Sequence, residues 1–193
     1  MDKELSFSGK EILVQSDPWF FGFLDVVDEV FDKPYIVHLV RDPLTYIPSQ
    51  LNMHYDNPVS GFFRDIIPYW KLRGDATGDM ERTEWRMLSH EEKVCWYWAK
   101  CNSFIDERAS ALTNYFRISF EELFHPPHNG ARTIAQFCGL PFDETCVVTD
   151  GIAKKTNTQR KRFSPAVEWS QEKHTQVVAL CGGLRTEYGY VSE

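Results

Sequence analysis

The chain has 193 residues, 42% of them hydrophobic and 25% charged, enough apolar material for a single domain with a real core. Lys and Arg number 21 against 28 Asp and Glu, and the resulting net charge of −7 argues against nucleic acid or an anionic membrane as the main partner. Five scattered cysteines without a Cys-x-x-Cys pair argue against a disulfide framework or a zinc site, and with no signal peptide or membrane-length apolar run in view the expected setting is cytoplasmic.

Taken in order, Phe7-Ser-Gly-Lys10 reads as a β-turn. Glu11 to Ser16 reads as a strand, followed by Asp17-Pro18. Phe20, Phe23, Leu24, Val27, Val30 and Phe31 then recur at helical spacing. Tyr35 to Val40 is a short, β-branched, nearly continuous apolar run, the pattern of a strand buried on both faces of a parallel sheet. Asp42-Pro43 reads as a helix start, with Asp as N-cap and Pro at the first helical position. Residues 12–40 thus predict a strand–helix–strand unit closed by a right-handed parallel crossover, with Asp17 and Arg41 on one edge of the sheet. Arg41 falls at the carboxyl end of a buried strand, where open α/β sheets bind ligands, and Ser49 follows about two helical turns later.

Residues 53–88 mix aromatics and arginines around a Gly74-Asp-Ala-Thr-Gly78 turn and are expected to form an irregular excursion, the natural place for an acceptor-side loop. Ser89-His-Glu-Glu92 is a capping box opening a helix with Val94, Tyr97, Trp98, Cys101, Phe104 and Ile105 on one face. Tyr115 to Ser119 is the third predicted strand. A helix is predicted over Thr133–Cys138, closed by Gly139 and Pro141, and a last one over Glu172–Cys181, ended by Gly182-Gly183. His125 and His128 flank two prolines without a nearby carboxylate pair, which makes a poor metal site. The stretch 154–162 holds five cations in nine residues of an acidic chain. It is either a solvated basic loop or a phosphate-binding one.

An apolar strand ending in Arg41-Asp-Pro43 with Ser49 eight positions after the Arg resembles the 3′-phosphate-binding segment of the sulfotransferases, which use 3′-phosphoadenosine 5′-phosphosulfate as donor. Tyr115-Phe-Arg-Ile-Ser-Phe-Glu-Glu-Leu123, Ile134-Ala-Gln-Phe-Cys-Gly-Leu-Pro141 and the closing Cys181-Gly-Gly-Leu-Arg-Thr-Glu-Tyr-Gly-Tyr190 are similar to later segments of that family, in the right order over most of the chain. The resemblance implies a single α/β domain, 1–193, with the parallel-sheet, P-loop-NTPase-like, three-layer α/β/α core of sulfotransferases. That core is expected to be N-terminally incomplete, because no Lys-Ser-Gly-Thr-type loop follows a strand here. It implies that Arg41 and Ser49 grip the donor's 3′-phosphate. Lys155, Arg160, Lys161 and Arg162, ahead of Trp169, would belong to a donor-covering loop spanning 154–169. Asp17 takes the register of the catalytic base, although Asp before Pro is equally what a plain helix cap looks like. The expected function is sulfuryl transfer from this co-substrate, without a metal, to a hydroxyl or amine on a small molecule, carbohydrate or peptide. The alternative is a truncated, non-catalytic nucleotide-binding or interaction module. Neither nucleic acid nor membrane is an expected partner, and a homo-oligomer is open.

Overall fold

A computed structural model describes residues 12–55, 72–124, 129–142 and 163–190. The described chain is mixed α/β, consistent with a sulfotransferase-type fold. Strand β1, Tyr35–Val40, lies beside β2, Asn114–Ser119, in a parallel pair running from Tyr35↔Asn114 to Val40↔Ser119. The two strands match the predicted ones to within a residue. Helices pack on the face that carries His38 and Val40, while Tyr35 and Leu39 on the other face stay about half exposed. Phe137 packs on Tyr35 and Phe116 of that second face, so β1 is more deeply buried on one face and partly covered on the other, where its apolar run predicted burial on both.

Helix α1, Val27–Val30, precedes β1, and α2, Pro43–Tyr55, follows it. Asp42 caps α2 as expected: its Oδ1 accepts the Leu44 N–H at 2.9 Å and its carbonyl accepts the Thr45 N–H at 2.9 Å. Two short helices, α3 (Gly74–Thr77) and α4 (Arg82–Met87), lead to the long α5, His90–Ala109. The Ser89 capping box forms: Glu92 N–H donates to Ser89 Oγ and Ser89 N–H to Glu92 Oε2. After β2 come α6 (Phe120–Phe124), α7 (Asn129–Phe137) and α8 (Gln171–Glu187). The core joins β1, α2, α5 and α8 through Val40, Ile47, Leu51, Val94, Cys95, Trp98, Val177 and Cys181. Its hydrogen-bonding contact with Cys181, together with burial, holds the Cys95 thiol well above the ordinary thiol range, so it packs as an inert group.

Three expectations change. Residues 12–16 are extended but pair with no strand among the described residues, and Ile12, Leu13 and Val14 are 54%, 54% and 76% exposed. The strand–helix–strand crossover is thus not formed there, and the common edge inferred for Asp17 and Arg41 goes with it. The predicted helix after Pro18 breaks into a 3₁₀ turn, Phe20–Phe23, and the single turn of α1. Only Leu24 and Val27 of its stripe are buried, while Phe23 and Val30 face solvent. Adjacent aromatics and Gly22 are poor helix formers, and packing of Phe21 on Phe104 holds the turn instead.

The third change concerns α8, which runs straight through Gly182 and Gly183 to Glu187. Two mid-helix glycines cost about 1 kcal/mol each. Burial of Arg185 and packing of Leu184 and Tyr188 on the core beyond them offset this. The helix ends at Gly189, whose φ of +81° suits glycine. There Gly189 N–H bonds to the Thr186 carbonyl and Tyr190 N–H to the Arg185 carbonyl, both at 3.0 Å, closing a Schellman motif.

Gly183 is exposed, and a Cβ added there would meet nothing within 4 Å. Gly183→Ala is expected to stabilise the protein by about 0.5–1 kcal/mol, read as a higher urea midpoint with an unchanged slope.

Candidate functional site

Because β1 and β2 are parallel and end side by side, the residues that leave them, Arg41-Asp42 and Phe120-Glu121, meet at one corner. The Arg41 guanidinium lies 4.6 Å from the centre of the Phe120 ring, and its Nε donates to Thr45 Oγ1 at 3.0 Å. No carboxylate forms an ion pair with it among the described residues. Partial burial lowers its pKa from the usual arginine value and Glu121 works against that shift, so the cation stays charged and incompletely solvated. Thr45 and Ser49 are four residues apart on α2 and therefore share its face. Arg41 is thus bonded to Thr45, and Ser49 lies one turn further along the same face of α2.

That corner is braced by a second arginine. Arg185 on α8 clasps Asp42 with two parallel bonds, Nε to Oδ1 and Nη2 to Oδ2, each 3.2 Å. Both side chains are largely buried, at 7% and 16% exposure. Glu121 completes the brace. Its Oε2 accepts Tyr190 O–H at 2.8 Å, while Oε1 lies 3.3 Å from Thr45 Oγ1 and 3.4 Å from the Asp42 N–H. The Tyr190 hydroxyl also lies 3.3 Å from the Val40 carbonyl. Glu121 belongs to a helix start of its own, since Ser119 and Glu122 form a capping box at the head of α6. Below the brace is a cleft of about 140 Å³ lined by Val40, Arg117, Ser119, Glu122, Tyr188 and Tyr190.

Under the corner runs a polar network that the apolar reading of β1 missed. His38, 6% exposed, binds Asn102 through Nε2 at 2.9 Å and Tyr115 through Nδ1 at 2.7 Å. The Asn102 amide donates to the Trp98 carbonyl, so its Oδ1 must accept, which makes Nε2 the protonated nitrogen and Nδ1 the acceptor of the Tyr115 hydroxyl. Asp106 gathers the hydroxyl of Tyr188 and the Arg117 guanidinium, with Tyr115 Oη 3.4 Å away. Burial lowers the His38 pKa, against the Asn102 bond and the Asp106 charge that raise it. The signal was present: His at position four of an apolar strand, facing Asn102 on the buried side of α5.

Of the other predicted residues, Asp17 is exposed and caps a turn, its Oδ1 accepting the Trp19 N–H at 2.8 Å. It lacks the burial that a base working near neutrality calls for. Lys155, Arg160, Lys161 and Arg162 lie outside the described residues, as do His125 and His128. Phe163, the next described residue after the basic stretch, is held to α2 on both sides: its N–H donates to Asn52 Oδ1 at 2.9 Å and its carbonyl accepts from Asn52 Nδ2 at 3.2 Å. Asn52 is three residues beyond Ser49, so Phe163 is tied to α2 about one turn past Ser49. Among the described residues no three His, Cys, Asp or Glu side chains cluster as metal ligands, and no helix is long and apolar enough to cross a membrane.

A protein-family model described as the sulfotransferase family matches residues 6–144. No curated protein and no solved structure matches the chain.

Two expectations follow from this geometry. Arg185→Ala strands the Asp42 carboxylate in a mostly buried position and should destabilise the fold by about 3–5 kcal/mol, measured by urea unfolding. His38 is neutral when folded, and below about pH 6.5 the unfolded chain binds a proton that the folded one resists. Stability is therefore full above that pH and falls as acid is added down through the lowered folded pKa. Urea midpoints at pH 7.5 and 5.5 should differ in the wild type, and by less in His38→Gln.

Proposed function

Since this chain belongs to the sulfotransferase family, we propose that it moves a sulfuryl group from 3′-phosphoadenosine 5′-phosphosulfate to a hydroxyl or amine acceptor. The observation that carries the reading is Arg41: a half-buried guanidinium at the carboxyl end of a parallel strand, without an ion pair to a carboxylate among the described residues, its Nε bonded to the Thr45 hydroxyl. A phosphate monoester supplies the missing anion, and a guanidinium offers it a planar fork of donors. In this reading Arg41 and Ser49 hold the 3′-phosphate, and Lys155, Arg160, Lys161 and Arg162 close over the donor from a segment whose exit Asn52 fixes beside Ser49. The fold it assumes is the three-layer, P-loop-like core.

The chemistry needed is modest. The acceptor oxygen or nitrogen bonds to sulfur, the bond from sulfur to the 5′-phosphate oxygen breaks, and the acceptor's proton passes to a base. As in phosphoryl transfer, positioning and charge stabilisation do most of the work. Asp17 is the base in this reading, with less support than Arg41 has, since it is exposed and engaged as a turn cap. Residues 53–88 would contact the acceptor; within them Trp85 is buried against Trp96, and Asp79 pairs with Lys100 of α5, so α3 and α4 are fixed rather than free.

Calorimetric titration with 3′-phosphoadenosine 5′-phosphate should show binding that Arg41→Ala weakens by about 10²-fold and Ser49→Ala by about tenfold, the scale of lost bonds to a charged group. Incubation with radiolabelled donor and a panel of acceptors should transfer label, and Asp17→Asn, which keeps an acceptor for Trp19, should slow turnover while sparing donor affinity. Failure of the wild type to bind the nucleotide sinks the reading, and binding without transfer leaves a nucleotide-binding module instead.

A further inference from the structure

The cluster behind Arg41 contains two side chains with no place yet in the proposed reaction, Thr45 and Glu121. Arginine has five N–H donors, and a guanidinium that spends one of them on a fixed acceptor presents the others in a defined plane. Here Nε is spent on Thr45 Oγ1, and the flat face rests on Phe120. Thr45 is in turn flanked by acceptors: its Oγ1 lies 3.1 Å from the Asp42 carbonyl and 3.3 Å from Glu121 Oε1. With its own proton directed to one of these, the hydroxyl turns a lone pair toward Arg41. Glu121 is itself immobilised by Tyr190 and the Asp42 N–H.

We propose that Thr45, backed by Glu121, is a positioning residue that aims the Arg41 guanidinium at the nucleotide's 3′-phosphate. The aim is set from three separate elements: the head of α2, the head of α6 and the turn after α8. A long arginine side chain left to itself keeps rotamer freedom, which any ligand would have to remove on binding. Fixing it beforehand favours ligands whose phosphate sits where the fork points. Thr45 therefore governs discrimination between nucleotides with and without a 3′-phosphate, more than overall nucleotide affinity. This inference rests on the donor reading above.

Thr45 is exposed, and valine has its shape without the hydroxyl, so Thr45→Val tests the point without a packing change. The readout is the ratio of affinities for 3′-phosphoadenosine 5′-phosphate and adenosine 5′-phosphate, each measured on the whole protein by calorimetric competition. Thr45→Val is expected to lower that ratio roughly fivefold or more, the scale of one lost bond to a charged group. Thr45→Ser should restore it to within about twofold, and Glu121→Ala should lower it in the same direction. A merely structural role would lower both affinities together and leave the ratio where it was, and that result overturns the proposal. So does a Thr45→Val ratio equal to wild type in a protein whose ratio collapses in Arg41→Ala. If the wild-type ratio is itself near one and Arg41→Ala leaves it there, the donor reading falls first and takes this inference with it.

Discussion

The corner where β1 gives way to α2 depends on one carboxylate. Asp42 caps α2 with Oδ1 and holds Arg185 with both oxygens. A largely buried carboxylate is costly unless fully paired, and the bidentate guanidinium supplies that pairing in a fixed plane. The result is a rivet between an early helix and the last one, across 143 positions of sequence. Arg41 is next to the riveted residue, and its carbonyl is held by the Trp98 indole at 3.0 Å. Main chain on either side of the guanidinium is thus immobilised from α5 and α8. The two arginines divide the labour: Arg185 is consumed in holding the corner, while Arg41 makes no ion pair among the described residues.

The elements legible in the sequence were those with local signatures. β1 carried a β-branched run, β2 the short Tyr115 to Ser119 stretch, α5 carried Ser89-x-x-Glu92, and Asp42-Pro43 marked α2; all stand where those signals put them. Ile12 to Val14 carried the same apolar signature without becoming a paired strand, because strand formation needs a neighbour that composition cannot specify. Gly182-Gly183 read as a stop, yet the decisive term was long-range, the reward for burying Arg185 and Tyr188 further on. Around the corner, Arg41 and Ser49 stood out through their place after a strand and their spacing along α2. Thr45, Glu121 and Tyr190 did not, since each matters only through a partner brought to it by the fold. Asp17 shows the opposite case, a position favoured by register whose neighbours turned out to be solvent and a turn.

His38 gives α5 a second task. Its apolar positions, Val94, Cys95 and Trp98, fill the core, while Asn102 and Asp106 one and two turns later carry polar groups under the sheet. Every member of that set has a partner, the condition under which a buried polar network specifies one arrangement and no other. Slipping α5 by one turn against β1 would leave a histidine, an amide and a carboxylate unpaired together. The network therefore fixes the register of helix on sheet, and with it the depth at which the Trp98 indole reaches the Arg41 carbonyl.

The Tyr190 hydroxyl bonds to Glu121 and reaches the Val40 carbonyl across 150 positions, while β1 meets β2 across a gap of 79. Loops of that span close slowly, because their entropy is lost before any contact repays it. Helical segments such as α5 can form early from local bonds, but the corner holding Arg41 must wait for both distant partners. Assembly of this protein should then be paced by chain topology, with local helices appearing first and the corner around Arg41 closing last.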